Sequence, residues 1–162
     1  MYADRKQIRL VSFDYSSQGA YFITICSHER KGTFGTVVPG DAFHRSTVRL
    51  SALGEVIRRN LDQVHAIYPN VWIEKSVIMP NHVHLLIVVC GVRKSAAKLD
   101  KMLIPKVIQS FKASVTRQMP ECKPIWQMRY HDHIIRDEQD FQRIWMYIDN
   151  NPESWIEDRY YI

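Results

Sequence analysis

The chain has 162 residues, of which 46% are hydrophobic, a length and apolar share that build one ordinary core and argue against a second domain. With 22 Lys and Arg against 17 Asp and Glu the net charge is +5, which permits attraction to nucleic acid or to an anionic surface. The three cysteines, Cys26, Cys90 and Cys122, are scattered and form no C-x-x-C pair, which signals neither a disulfide framework nor a cysteine zinc site and fits a reducing cytoplasm.

The start, MYADRKQIRLVSFDY, is polar and has no apolar stretch of signal-peptide length. No later segment approaches the roughly 18 apolar residues of a spanning helix, so a cytoplasmic chain without membrane contact is expected. The run AYFITIC at 20–26, bounded by Gly19 and Ser27, reads as a buried strand. Residues 31–50 are broken by Gly32, Gly35, Pro39 and Gly40; they predict a surface excursion with short strands at 36–38 and 47–50. Ser51 caps a helix whose Leu53, Val56, Ile57, Leu61 and Val64 recur at helical spacing until Pro69-Asn70.

Two extended runs, 71–79 and 82–89, are separated only by Pro80-Asn81 and predict an antiparallel hairpin. Both alternating faces of the second run are largely apolar, which predicts a central strand. A basic linker at 93–101 leads to a helix over 104–118 with Ile104, Val107, Ile108, Phe111 and Val115 inward and Pro105 in its first turn. A mixed loop follows, with a short strand at 133–136. The last helix opens at Asp137, carries Phe141, Ile144, Trp145 and Ile148 on one face and stops at Asn151-Pro152. This order predicts a single α+β domain over 1–162, helices packed on an antiparallel sheet, with 1–18 and 156–162 peripheral.

His82-Val83-His84 is the sharpest chemical feature. Residues i and i+2 of a strand point from one face, so two imidazoles project side by side within MPNHVHLLIVV, where the neighbours are apolar. Hydrogen-bonded structural histidines are the plain alternative; a metal clamp is the sharper one. Two nitrogens make a weak site, and a third protein ligand is expected. Tyr147 and Asn151, four residues apart, share one side of the last helix beside its apolar stripe. A phenol is a poor nucleophile at neutral pH, and a divalent metal on a phosphate oxygen supplies the polarisation it lacks.

The segments MPNHVHLLI, WQMRYHDHIIRDEQDF and YIDNNP, together with the early AYFITICSHERKGTFG, resemble the single-tyrosine His-hydrophobic-His transposases, and most of all the REP-associated tyrosine transposases. The resemblance implies a ferredoxin-like (RRM-like) fold with the catalytic tyrosine on the C-terminal helix. It makes His82 and His84 metal ligands, Asn151 the third ligand and Tyr147 the nucleophile, with Mg²⁺ or Mn²⁺ as cofactor. It further implies recognition of a hairpin beside a single-stranded cleavage site, and a 5′-phosphotyrosine intermediate. The family includes both dimers and monomers, so a homodimer stays open.

Between residues 93 and 136 cations far outnumber acids. Lys106, Lys112, Arg117, Arg129 and Arg136 are the expected DNA contacts, because phosphate neutralisation needs clustered positive charge. Trp126 and Tyr130 are candidates for stacking on unpaired bases or for the core. His131-Asp132-His133 is a second H-x-H with a charged centre, expected to have at least one histidine at the surface. Two rival functions remain from the sequence: a hairpin-DNA-binding protein that has lost cleavage, and a small structural zinc protein.

Overall fold

The computed structural model describes residues 19–90 and 102–158; the stretch 1–18 expected at the periphery and the basic linker at 93–101 lie outside the described residues. In chain order the elements are β1 (Ala20–Cys26), β2 (Gly35–Val38), β3 (Thr47–Leu50), α1 (Ala52–Asp62), α2 (Val64–Ile67), β4 (Val71–Ile78), β5 (His82–Val89), α3 (Leu103–Gln118), β6 (His131–Ile135) and α4 (Glu138–Asn150). The main sheet runs β4-β5-β1-β6 with antiparallel neighbours, and β2 and β3 form a separate ribbon. Apart from the ribbon and the short α2, the chain order β1-α1-β4-β5-α3-β6 with strands arranged β4-β5-β1-β6 is the split βαβ arrangement of a ferredoxin-like fold, as expected. No helix among the described residues is long and apolar enough to cross a membrane.

Every residue of β5 is buried, because both faces of the sheet are covered. Val83, Leu85, Ile87 and Val89 join Ile23 and Ile25 of β1 against the apolar stripes of α1 and α3. Leu86 and Val88 join Ala20 and Ile135 against Phe141, Ile144 and Ile148 of α4. The pleat thus divides one strand between two cores. At the start of β5 the α4 side carries His82 and His84 instead of aliphatic residues.

Local signals account for most boundaries. Met79 N–H donates to the His82 carbonyl at 2.8 Å, which leaves Pro80-Asn81 as the two-residue hairpin connection. Ser51 Oγ accepts from Gly54 N–H and Asp137 Oδ1 from Asp140 N–H, capping α1 and α4. Gly54 lies so close to the β1–β2 connection that a Cβ there would stand 2.1 Å from the Phe34 carbonyl oxygen. The last strand differs from the expected 133–136: it starts two residues earlier, because β1 extends the ladder through Thr24 opposite His131, and it ends before Arg136, whose neighbour Asp137 is already the helix cap.

The C-terminal end of α4 is clamped from two sides. From β4, Lys75 Nζ lies 2.6 Å from Asp149 Oδ1 and over the Trp145 ring. From the ribbon, Arg45 donates to Asp149 Oδ2 and Asn150 Oδ1, and Ser46 donates through its backbone and hydroxyl to Glu153. The Lys75 hydrogen bond, against some desolvation and with the charges of Lys75 and Arg45, holds the Asp149 carboxyl below the usual carboxylate range. A depressed folded-state pKa stabilises above the unfolded value, near 3.9 for Asp, and the benefit is lost as pH falls through the folded value. Asp149→Asn is therefore expected to lower the melting temperature at pH 7 and to flatten the loss of stability below about pH 4. Coincident melting temperatures for the two proteins from pH 7 down through that range would show that the clamp contributes nothing.

Candidate active site

His82 and His84 are fully buried, with ring centroids 4.4 Å apart, on the sheet face that α4 covers. Each ring is held by a polar partner that is itself buried. Nδ1 of His84 shares a hydrogen with Thr24 Oγ1 at 2.8 Å, and Thr24 is the residue of β1 directly opposite His84. Nδ1 of His82 donates to Asn81 Oδ1 at 2.9 Å. The Asn81 amide cannot turn over without loss, since its Nδ2 donates to the Arg30 carbonyl at 3.1 Å.

Asn151, at the C-terminal cap of α4, is also buried. Its Oδ1 stands 3.3 Å from His82 Nε2, and its Nδ2 donates to Asp158 Oδ2 at 2.8 Å. Because Nδ1 of His82 is the donor to Asn81, the neutral ring presents a lone pair at Nε2, and there it meets another acceptor. Two acceptors at that distance repel unless a proton or a cation lies beside them. One ring nitrogen each of His82 and His84 and a carboxylate oxygen of Asp158 lie within 4.8 Å of one another. Imidazole nitrogens with amide and carboxylate oxygens are donors a divalent cation accepts, so the residues present fit a metal.

Tyr147 stands one helical turn before Asn151, its side chain partly open to solvent. Its ring centroid is 5.3 Å from that of His84 and 5.9 Å from that of Phe22, the latter pair at right angles. Beside it opens a pocket of about 410 Å³ lined by Phe22, Thr24, His131, Asp132, His133, Arg143, Ile144 and Tyr147. His131 and His133 reach it because they pair with Thr24 and Phe22 on β1, and cross-strand partners share a face. His131, Asp132 and His133 are all exposed. His133 Nε2 pairs with Asp140 Oδ2 at 2.7 Å.

The expected nucleic-acid residues are spread out. Lys106 and Arg117 are exposed on α3, the layer on the far side of the sheet from the histidines, while Arg129 and Arg136 are exposed before and after β6. Lys112 is different: its Nζ donates to the carbonyls of Gln127 and Met128, and burial pulls its pKa down. Trp126 is partly buried and packs against the core, on Phe34 and Phe111, with its indole N–H on the Lys112 carbonyl. Tyr130 packs against the same core.

Asp158 is the site residue that the sequence did not announce. It falls within the stretch expected at the periphery, yet it touches Asn151. Thr24 and Asn81 carried faint signals, as the polar residue of an otherwise apolar strand and as a turn residue.

No protein-family model matches the chain. An uncharacterized protein of Haemophilus influenzae (strain Rd) is 33% identical over 174 aligned residues, covering 98% of this chain and 93% of that one. The chain belongs to one family with it. Among solved structures, that of a REP-associated tyrosine transposase bound to a REP hairpin superposes with a TM-score of 0.61 over 88% of this chain and 72% of that one, at 19% identity. The fold is therefore that of the group the sequence motifs resemble, and His82-Val83-His84 fits its His-hydrophobic-His pattern.

A buried donor cluster of this kind should gain stability from a divalent ion. Mn²⁺ at one hundred times its Kd is expected to stabilise the metal-free protein by about 2.7 kcal/mol, read as a rise in melting temperature. The double variant His82→Ala/His84→Ala should show no rise, and an equal rise in both proteins would mean that the ion binds elsewhere.

Proposed function

We propose that this chain is a transposase-type single-stranded DNA endonuclease and strand transferase. Tyr147 is its nucleophile, His82 and His84 hold Mg²⁺ or Mn²⁺, and Asn151 reaches the same site from the tyrosine helix. The observation that carries the reading is the placement of Tyr147 against a buried pair of histidines, on the same helix as Asn151. The fold shared with a transposase that binds a REP hairpin supports the substrate class.

When bound, the metal polarises a phosphate oxygen and offsets charge that develops in the transition state. The chain does the rest. Asn81 and Thr24 fix the two imidazoles, so that little reorganisation is left for the reaction. Phe22 supports the Tyr147 ring from the side, and the pocket beside it receives the unpaired strand. The Tyr147 oxygen then bonds to phosphorus while the bond from phosphorus to the 3′-oxygen breaks. The phenolic proton passes to water, and the 3′-oxygen leaves as a hydroxyl after taking one up. The energy of the broken linkage is kept in the 5′-phosphotyrosine ester, from which another 3′-hydroxyl can displace the tyrosine and rejoin the strand.

The exposed cations Lys106, Arg117, Arg129 and Arg136 contact phosphates of the hairpin and its flank, and Lys112 contributes by holding the loop that carries Arg129. Binding to hairpin DNA should weaken steeply with salt, and each of Arg129→Ala and Arg136→Ala should reduce the slope of log K against log salt by about 1. Unchanged slopes would place the DNA on another surface.

Tyr147→Phe keeps the ring against Phe22 and His84 and removes only the oxygen. Incubated with Mn²⁺ and single-stranded DNA carrying a flanking hairpin, the wild type should form a denaturant-resistant adduct at the 5′ end of the cut strand. The Phe variant should bind that DNA with near-normal affinity and form none. Adduct formation by the variant would make another residue the nucleophile. A wild type that binds the hairpin but never forms an adduct would make the protein a binding module.

A further inference from the structure

We infer that Asp158 supplies the anionic oxygen of the divalent-metal site and that Asn151 is a positioning residue between it and His82. The inference deepens the reading above and rests on it. Past the end of α4 the chain reverses through a hydrogen-bonded turn, Ser154 N–H to the Asn150 carbonyl, and a 3-10 turn, Trp155–Glu157. That reversal lays the Trp155 ring 6.0 Å from His82 and returns Asp158 to the histidine pair.

The Asn151 amide has its NH₂ on the Asp158 carboxylate and its oxygen toward His82 Nε2. It links the two donors. Of the other carboxylates at this end of the molecule, Asp149 is engaged with Lys75 and Arg45 and Glu153 with Ser46, away from the histidines, and Glu157 is exposed. Among the described residues, Asp158 is the carboxylate grouped with the two imidazoles.

Chemistry favours it as well. Mg²⁺ and Mn²⁺ are hard cations that prefer charged oxygen donors. Two imidazoles and an amide are all neutral and would leave the full double charge of the ion in a largely buried site; a carboxylate halves that charge.

Mn²⁺ affinity of the metal-free full-length chain, read by electron paramagnetic resonance, tests the assignment without reference to cleavage. Asp158→Asn can keep the hydrogen bond from Asn151 while removing the charge, and it is expected to weaken Mn²⁺ binding by at least tenfold with the metal-free melting temperature nearly unchanged. Asp158→Glu should recover most of that loss. Asn151→Ala should weaken binding on the order of tenfold, as partners that orient ligands do, and Asn151→Gln should restore part of it.

Wild-type affinity in Asp158→Asn, or no recovery in Asp158→Glu, would overturn the inference. If Asn151→Ala alone then abolishes binding, the oxygen ligand is Asn151 and the active-site reading stands. A wild type without Mn²⁺ binding, or one whose affinity survives His82→Ala, would bring down the active-site reading as well.

Discussion

The pleat of β5 is the constraint on which the rest depends. A strand buried on both faces must satisfy two cores at once, and successive residues cannot exchange faces without turning every other side chain over. Val83, Leu85, Ile87 and Val89 are committed to α1 and α3, so His82 and His84 are committed to the side under α4. Antiparallel pairing with β1 then puts Thr24 opposite His84 and Phe22 opposite Leu86. The site is in this sense a consequence of register: a hydrophobic requirement on one face fixes where the polar groups stand on the other.

Holding polar groups there has a cost. Buried polar groups must be hydrogen-bonded to offset the loss of water, and an apolar strand without histidines would avoid that requirement. Of the seven buried polar side chains among the described residues, five (Thr24, Asn81, His82, His84 and Asn151) belong to this one neighbourhood. The concentration argues for a use that packing does not supply. Strain lies close by: Glu29 and Arg30, in the turn after β1, both have φ near +55°, at 53° and 55°, which costs non-glycine residues about 1–2 kcal/mol each. The Arg30 carbonyl is the acceptor for the Asn81 amide. That turn helps to fix the His82 ring.

Much of this was legible in the sequence, and the division follows physical lines. Strands, helices and caps came from periodicity and from single residues with local effects, such as Ser51, Asp137 and Pro80-Asn81. The shared face of His82 and His84 followed from the pleat. What could not be read depends on contacts between distant segments. Nothing local distinguishes Lys112, turned onto loop carbonyls, from the exposed Lys106 earlier on the same helix. Trp126 needed Phe34 and Phe111 beside it to be recognised as packing against the core. The start of β6 was missed because its first residues, His131 and Asp132, have no strand-like composition and are strand only by pairing with β1. Asp158 lies beyond a proline and a chain reversal, where no periodicity reaches.

The position of Tyr147 follows from the same economy of contacts. Its neighbours in the chain and one turn back, Ile148 and Ile144, are buried in the second core with Phe141, and burying an aliphatic side chain of that size is worth about 1.5–3 kcal/mol. Moving the tyrosine away from His84 would mean withdrawing one or both isoleucines, and it would also break the Lys75 and Arg45 contacts that fix the helix end. The side chain can therefore remain partly open to solvent, as a group that must meet a polymeric substrate has to be, while the helix that carries it is as fixed as the core. The residues that stabilise this half of the fold are also those that set the distance between tyrosine and histidines. A substitution such as Ile144→Ala would therefore alter the site before the protein unfolds, because the cavity it leaves lies between α4 and the strand that bears the imidazoles.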